Sequence, residues 1–155
     1  MGRPGIISAP TYSSSGVFMM TMELWYLLGF AAWAVILVAI IGIWRVIQVL
    51  TGRVAANGFP AGQPHGGEAY WRLNRAHMNT LENLPIVATF ILVAAMAGIS
   101  TEATANLAGV ILGARILQSL IHVASGSVLA VNLRFAAYLI QLLALVGFGL
   151  EIVRA

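Results

Sequence analysis

A short polar segment, RAHMNTLENLP at residues 75–85, carries residue types suited to binding an anionic ligand. At about 100° per residue, Arg75, Asn79 and Glu82 fall within about 60° on one face of a helix, and His77 lies off that face. Guanidinium and amide groups on one face can donate hydrogen bonds to a carboxylate or a thiolate. The strongly apolar stretch IVATFILVAAMAGI overlaps the end of this segment. The pattern therefore predicts a polar site at the mouth of an apolar helix.

Three other segments also place polar side chains on a single helical face. These stripes are Arg45 and Gln48; Arg115, Gln118, Ser119 and His122; and Arg134, Tyr138 and Gln141. Polar side chains within a membrane bundle are costly, and they usually face its interior or a functional site. We expect donors from these stripes to converge with the stripe of residues 75–82 near one membrane surface. Such a cluster would form an anion site.

Glu82 and Arg115 are expected to lie at similar depths in the bundle. Glu82 is seven residues into the predicted second helix, which is about 10 Å at 1.5 Å per residue. Arg115 precedes His122 by seven residues on a helix that runs the other way. An unpaired charge at this depth costs roughly 2.5–3.5 kcal/mol on insertion scales. We predict a structural ion pair between Glu82 and Arg115, with a ligand-facing role as the alternative.

The composition indicates an integral membrane protein. The 155 residues are 60% hydrophobic and 8% charged, whereas a soluble domain carries about 25% charged residues. A net charge of +3 from scattered arginines does not form a nucleic-acid-binding footprint. The chain has no cysteine, so a reactive thiol must come from a substrate. We predict no metal site and no nucleic-acid partner.

The apolar runs predict an all-α bundle of four transmembrane helices, at about residues 23–50, 75–99, 103–124 and 131–153. Each run approaches or exceeds the roughly 20 apolar residues that cross a bilayer, and in lipid only helices or closed barrels satisfy the backbone. The break between the last two helices falls within residues 122–132, which contain small residues and Gly126. Residues 1–22 are rich in Gly, Pro and Ser and predict a flexible extension before a single domain at 23–155.

The arginines predict the orientation of the bundle. Arg45, Arg53, Arg72 and Arg75 flank the long loop between the first two helices, and the turn before the third helix has no basic residue. Basic loops remain in the cytoplasm, so the long loop and the polar site are expected on the cytoplasmic side. The absence of lysine and the short chain favour a bacterial inner membrane as the location.

The opening segment resembles the second-helix signature of the MAPEG family (membrane-associated proteins in eicosanoid and glutathione metabolism), which reads roughly R-A-H-x-N-x-x-E-x-x-P. The matching residues are Arg75, Ala76, His77, Asn79, Glu82 and Pro85. Three further segments, LTGRVAANGFP, GARILQSL and RFAAYLIQ, are similar to other parts of the family. The resemblance covers about residues 23–153 and is closest to the bacterial members that resemble microsomal glutathione transferases.

This resemblance implies four-helix subunits in a homotrimer that binds glutathione, the thiol co-substrate, between subunits on the cytoplasmic side. It implies a transferase or peroxidase whose lipophilic electrophile or hydroperoxide arrives from the membrane lipids. Arg134 is then the catalytic residue beside the thiol. The residues implied to bind glutathione are Arg75, Asn79, Glu82, His122, Tyr138 and Arg45.

Three positions depart from the family pattern. Met78 replaces an arginine that some members have, His122 aligns with a ligand-contacting tyrosine, and Val49 aligns with an arginine of the first helix. Arg45 lies one turn from Val49. These departures leave open a non-catalytic protein of the same fold that binds lipid or a partner complex. A small multidrug transporter is a third alternative, for which Glu82 is the only mid-membrane acid available.

Overall fold

The protein folds into four helices in a computed structural model that describes residues 20–60 and 62–155. The helices are α1 (Met22–Leu50), α2 (Glu68–Met96), α3 (Glu102–Ala124) and α4 (Val128–Arg154). All four are long and apolar enough to cross a membrane, which confirms the prediction of an all-α, four-helix membrane fold. Residues 1–19 of the predicted N-terminal extension (residues 1–22) lie outside the described residues.

The second helix begins seven residues before the predicted start at residue 75 and ends three residues before the predicted end at residue 99. The polar composition of residues 68–74 suggested a loop, but Tyr70 and Leu73 are buried against α1 and hold this segment in the helix. At the other end, Gly98 adopts a positive φ of 71°. The N–H groups of Gly98 and Ile99 bond back to the carbonyls of Ala95 and Ala94, a Schellman ending.

The fourth helix begins at Val128, three residues before the predicted start. The hydroxyl of Ser127 accepts a hydrogen bond from the Ala130 N–H and caps the helix. The hydroxyl of Ser125 accepts a bond from the Ser127 N–H, so the turn after α3 needs only three residues. Because Ser127 caps α4 at an earlier residue than predicted, the turn expected within residues 122–132 is shorter than predicted.

The apolar core lies in the half of the bundle that contains the turn between α2 and α3. All four helices contribute to it. Its buried members are Phe30, Val87, Ile91, Ala94, Ala108, Ile111, Ala144 and Phe148. A smaller cluster of Leu37, Ile41, Tyr70 and Leu73 joins α1 to the first turns of α2. The polar ends of α2, α3 and α4 are thus free to form a site in the other half of the bundle.

Small residues allow the helices to approach closely. A Cβ atom on Gly149 of α4 would lie 2.7 Å from the Phe90 ring of α2, and one on Gly29 of α1 would lie 2.9 Å from Leu112 of α3. Lipid competes with apolar side chains for helix surfaces, so packing between transmembrane helices depends on such close contacts.

A buried carboxylate fastens the start of α1 to the start of α3. Glu23 is 2% exposed, and its carboxylate accepts hydrogen bonds from the hydroxyls of Thr104 and Ser100. Thr104 also takes part in the capping box of α3 with Thr101. The carboxylate therefore satisfies donors at the end of the bundle farthest from the polar stripes.

Glu23→Gln is expected to destabilise the protein by about 1.5–3 kcal/mol, because a charged acceptor of two hydroxyls is lost at constant volume. The melting temperature in detergent should fall by roughly 3–12 °C. Glu102→Gln is the matched control, since Glu102 lies in the first turn of α3 and is exposed. Equal melting temperatures for the two variants would contradict a stabilising role for the Glu23 contacts.

Candidate functional site

A cavity of about 420 Å³ opens between α2, α3 and α4 near the ends that adjoin the long loop. Its volume is within the range of about 300–1,000 Å³ that is typical of ligand sites. Three arginines, a histidine and two amides face it, together with aromatic rings. The lining residues are Trp71, Arg72, Arg75, Asn79, Gln118, His122, Val131, Arg134, Phe135 and Tyr138.

A second chamber of about 240 Å³ lies deeper in the bundle and adjoins the first cavity. The two share Asn79, Gln118 and Tyr138, so they adjoin each other, and together they are called the cleft. Glu82, Asn83 and Arg115 complete the inner chamber. Every side chain that lines it has a polar or charged group, which makes the chamber suited to a charged ligand group.

Arginine dominates the mouth of the cleft, here called the outer cavity. Arg75 comes from α2 and Arg134 from α4, and neither has an acidic or hydrogen-bonding partner among the described residues. Arg72 is already engaged, because its Nε donates to the Val123 carbonyl at 3.2 Å and its Nη1 pairs with Glu68 at 3.3 Å. The outer cavity therefore offers two unpaired guanidinium groups to an anion.

The predicted ion pair between Glu82 and Arg115 is absent: the two side chains do not come within 4.0 Å of each other. Arg115 instead turns along its own helix, and its Nη1 donates to Gln118 Oε1 at 2.6 Å. The guanidinium carbon of Arg115 lies 5.9 Å from the centre of the Phe30 ring. Glu82 is exposed on α2 and faces the same chamber from another wall. The prediction failed because local contacts within α3 compete for the guanidinium.

The sequence profile of the MAPEG family matches residues 24–154. The chain belongs to the MAPEG family. The match covers nearly all of the described chain and includes every residue of the cleft. A comparison with curated proteins finds no match.

The cleft of this MAPEG protein contains most of the residues that the sequence singled out. Arg75, Asn79, Glu82, His122, Arg134 and Tyr138 all line it. The stripes on α2, α3 and α4 therefore do converge. Their roles toward a ligand stay predictions, since only their positions are given by the fold.

Arg45 is the predicted binding residue that the fold of the MAPEG chain keeps out of the cleft. Its Nε donates to the Tyr70 hydroxyl at 2.7 Å, and its guanidinium carbon lies 5.2 Å from the centre of the Phe59 ring. It lines a separate cavity of about 390 Å³ between α1 and the long loop, beside Asn57. Arg45 and Arg134 therefore line different cavities of the chain.

Five cleft residues were missed as candidate site residues: Trp71, Arg72, Asn83, Val131 and Phe135. Arg72 precedes Arg75 by three residues, so it would have joined the same stripe if the helix had been extended to residue 68. Asn83 accepts a hydrogen bond at 3.3 Å from Gln141, which joins α2 to α4 behind the chamber. Gln118 was recognised as part of the α3 stripe but was given no role toward a ligand.

Proposed function

We propose that this MAPEG protein is a membrane-bound glutathione-dependent transferase or peroxidase. The observation that carries the proposal is the pair of unpartnered guanidinium groups, Arg75 and Arg134, which face one cavity from different helices. Glutathione offers two carboxylates and a thiolate as partners for such cations. Family membership supports the choice of this thiol, because glutathione metabolism is part of the family's name.

Arg134 is proposed as the catalytic residue. A cation beside a thiol favours the thiolate, and the thiolate is the nucleophile. In a transferase reaction the sulfur forms a bond to an electrophilic carbon, and the leaving group departs with the bonding electron pair. In a peroxidase reaction the thiolate attacks the distal oxygen of a hydroperoxide, and the alcohol leaves as the sulfenic acid forms. A second glutathione then reduces the sulfenic acid, which gives the disulfide and water.

Arg75, Asn79, Glu82, His122 and Tyr138 are proposed to hold the glutathione backbone. Arg75 can pair with a carboxylate, while the Asn79 amide and the Tyr138 hydroxyl can donate or accept hydrogen bonds. Because these side chains come from three helices, the bound peptide would be fixed in one orientation. Arg45 is proposed to contact glutathione only in an oligomer in which Arg45 of one subunit faces the cleft of a neighbouring subunit.

The lipophilic substrate is proposed to reach the cleft from the bilayer. Phe135 lines the outer cavity and is 64% exposed, and Tyr138 is 38% exposed on the same face of α4. An apolar molecule that moves along this face would meet the thiolate without crossing water. We also propose a homotrimer in a bacterial inner membrane, with the cleft toward the cytoplasm as the flanking arginines predict.

The proposal is tested by a thermal-stability scan of the detergent-purified protein with glutathione. Ligand at about 100 times its dissociation constant adds roughly 2.7 kcal/mol, so the melting temperature should rise by roughly 5–10 °C. Arg75→Ala should lose most of this rise. Arg53→Ala should keep it, since Arg53 is exposed in the long loop away from the cleft.

The absence of any shift at saturating glutathione would contradict the proposed function. The alternative of a non-catalytic lipid- or partner-binding protein would then be favoured. The same arginines would pair with a phosphate group in that case. Anionic phospholipid in mixed micelles is the matching ligand, and a shift with it alone would support this alternative.

A further inference from the structure

A cavity of about 390 Å³ lies outside the cleft, between the last turns of α1 and the long loop. No residue that lines the cleft also lines this cavity. Residues 45, 46, 49 and 50, which share one side of α1, form one wall, and residues 56, 57 and 59 of the loop form the other. Among these described residues, Arg45 is the one cation and Asn57 the one amide, and the rest of the lining is apolar.

The guanidinium group of Arg45 is held in place, but its charge is not neutralised. Its Nε donates to the Tyr70 hydroxyl at 2.7 Å, and its central carbon lies 5.2 Å from the centre of the Phe59 ring. Among the described residues, Nη1 and Nη2 have no hydrogen-bond acceptor, and no carboxylate lies within 4.0 Å. Paired N–H groups of a guanidinium match phosphate oxygens. An oriented guanidinium without a counter-charge therefore indicates an anionic ligand.

The cavity lies near the level of the lipid headgroups. With 29 residues, α1 is about 43 Å long at 1.5 Å per residue, whereas the hydrocarbon core of a bilayer is about 30 Å thick. An upright helix of this length extends beyond the core. The ring of Trp44, which stacks on Tyr70 at a centroid distance of 3.8 Å, and the charge of Arg45 are typical of the boundary between hydrocarbon and water. The phosphate groups of one leaflet lie at this boundary.

An exposed apolar stripe on α1 leads from the hydrocarbon core to the cavity. Its members follow one another at spacings of three or four residues, and they are Ile36, Ile40, Ile43, Ile47 and Leu50. These side chains are between 47% and 81% exposed, so the other helices of the chain do not cover them. Leu50 also lines the cavity. A molecule with a phosphate head and acyl chains therefore matches both the charged cavity and the stripe.

We propose that the cavity between α1 and the long loop binds the headgroup of an anionic phospholipid. The phosphate pairs with Nη1 and Nη2 of Arg45 and accepts a hydrogen bond from the Asn57 amide, while an acyl chain lies on the stripe that ends at Leu50. Charge complementarity selects this occupant, because one unneutralised cation and no acid in the lining match the single charge of a phosphodiester. A zwitterionic headgroup brings a cation of its own close to Arg45. The inference goes beyond the proposed function, because the site lies outside the cleft and involves no thiol.

The test measures lipid binding to the full-length chain in detergent by native mass spectrometry. The probes are phosphatidylglycerol, phosphatidylcholine with the same acyl chains, and glycerol 3-phosphate, which has no acyl chain. Phosphatidylglycerol is expected to bind at one site per chain and at least tenfold more tightly than either of the others. Equal binding of the two lipids would overturn selection by charge. Equal binding of glycerol 3-phosphate would identify a free phosphate as the ligand and overturn the assignment to a lipid.

Arg45→Gln tests where the lipid binds, and Arg53→Gln is the matched control. Both variants remove one arginine near the same end of the bundle, but Arg53 is exposed and does not line the cavity. Arg45→Gln should weaken phosphatidylglycerol binding at least tenfold, and Arg53→Gln should weaken it less than threefold. Equal losses would indicate general attraction of the lipid to surface charge and would overturn the site. Loss of glutathione binding with retention of phosphatidylglycerol in Arg45→Gln would also overturn it and would favour contact of Arg45 with glutathione in an oligomer.

A second pair of variants leaves the contact between Arg45 and Tyr70 in place. Ala56→Trp puts an indole ring into the cavity, whereas Ala55→Trp makes the same change at an exposed neighbour that does not line it. Both alanines are exposed in the loop, so both variants should fold. Ala56→Trp should weaken phosphatidylglycerol binding at least tenfold, and Ala55→Trp should leave it unchanged. Wild-type affinity in Ala56→Trp, or an equal loss in the two variants, would overturn the location of the headgroup.

Discussion

Arg134→Ala is expected to lower the kcat of glutathione conjugation by about 10²- to 10³-fold, the usual loss when one group that stabilises a reacting anion is removed. Arg134 is half-buried at the outer cavity and has no partner within the described chain. Its charge is therefore available to a bound thiolate. The measurement is steady-state turnover of a lipophilic electrophile at saturating glutathione in detergent micelles.

The pH dependence of turnover distinguishes activation of the thiol by Arg134 from a simple loss of glutathione binding. A cation beside the thiol lowers the thiol pKa, so its removal should return the pKa toward about 8.5, the value of a free cysteine. The rate of Arg134→Ala should therefore rise as the pH increases from 7 to 9, while the unaltered protein changes little. Arg53→Ala should behave like the unaltered protein. Unchanged turnover of Arg134→Ala, with normal assembly on size-exclusion chromatography, would disprove the assignment.

Phe148→Ala is expected to destabilise the protein by about 3 kcal/mol, the lower end of the range for buried Phe→Ala changes. Phe148 is fully buried in the core that all four helices share. The lost ring leaves a cavity whose lining atoms lose their dispersion contacts. Lipid already solvates apolar groups, which is why we expect the lower end of the range. The melting temperature in detergent should fall by roughly 6–12 °C.

Phe135→Ala is the matched control for stability, because it makes the same change on the same helix at a side chain that is 64% exposed. Its melting temperature should stay close to that of the unaltered protein. Phe135 also lines the outer cavity, so its effect should appear in the KM for the lipophilic substrate instead. Equal destabilisation by the two variants would contradict the location of the core.

The fold class followed from composition and periodicity, because a span of about 20 apolar residues has few structural options in a bilayer. Helix ends were harder to predict. The start of α2 at residue 68 depends on Tyr70 and Leu73 packing against α1, a contact that the polar composition of the segment does not reveal. Capping by Ser127 likewise set the start of α4.

Part of the candidate site could also be predicted from the helical periodicity of the sequence. Polar residues at helical spacing must share a face, so Arg75, Asn79 and Glu82 were expected on one side of α2. Their convergence with Arg134 required only that polar faces point toward one another in lipid. The MAPEG-like motif of residues 75–85 added the ligand hypothesis.

The sequence by itself determined that this chain forms four membrane helices with polar stripes near one end, because hydropathy and helical period are local properties. Only the tertiary structure decided which charges meet. Arg115 bonds to Gln118 and leaves Glu82 free, while Arg45 bonds to Tyr70 outside the cleft. These outcomes depend on helix rotation, crossing and rotamer, which result from the packing of all four helices together. Spacing along one helix permits the Arg115–Gln118 contact, but it cannot specify that this contact replaces a pairing with Glu82.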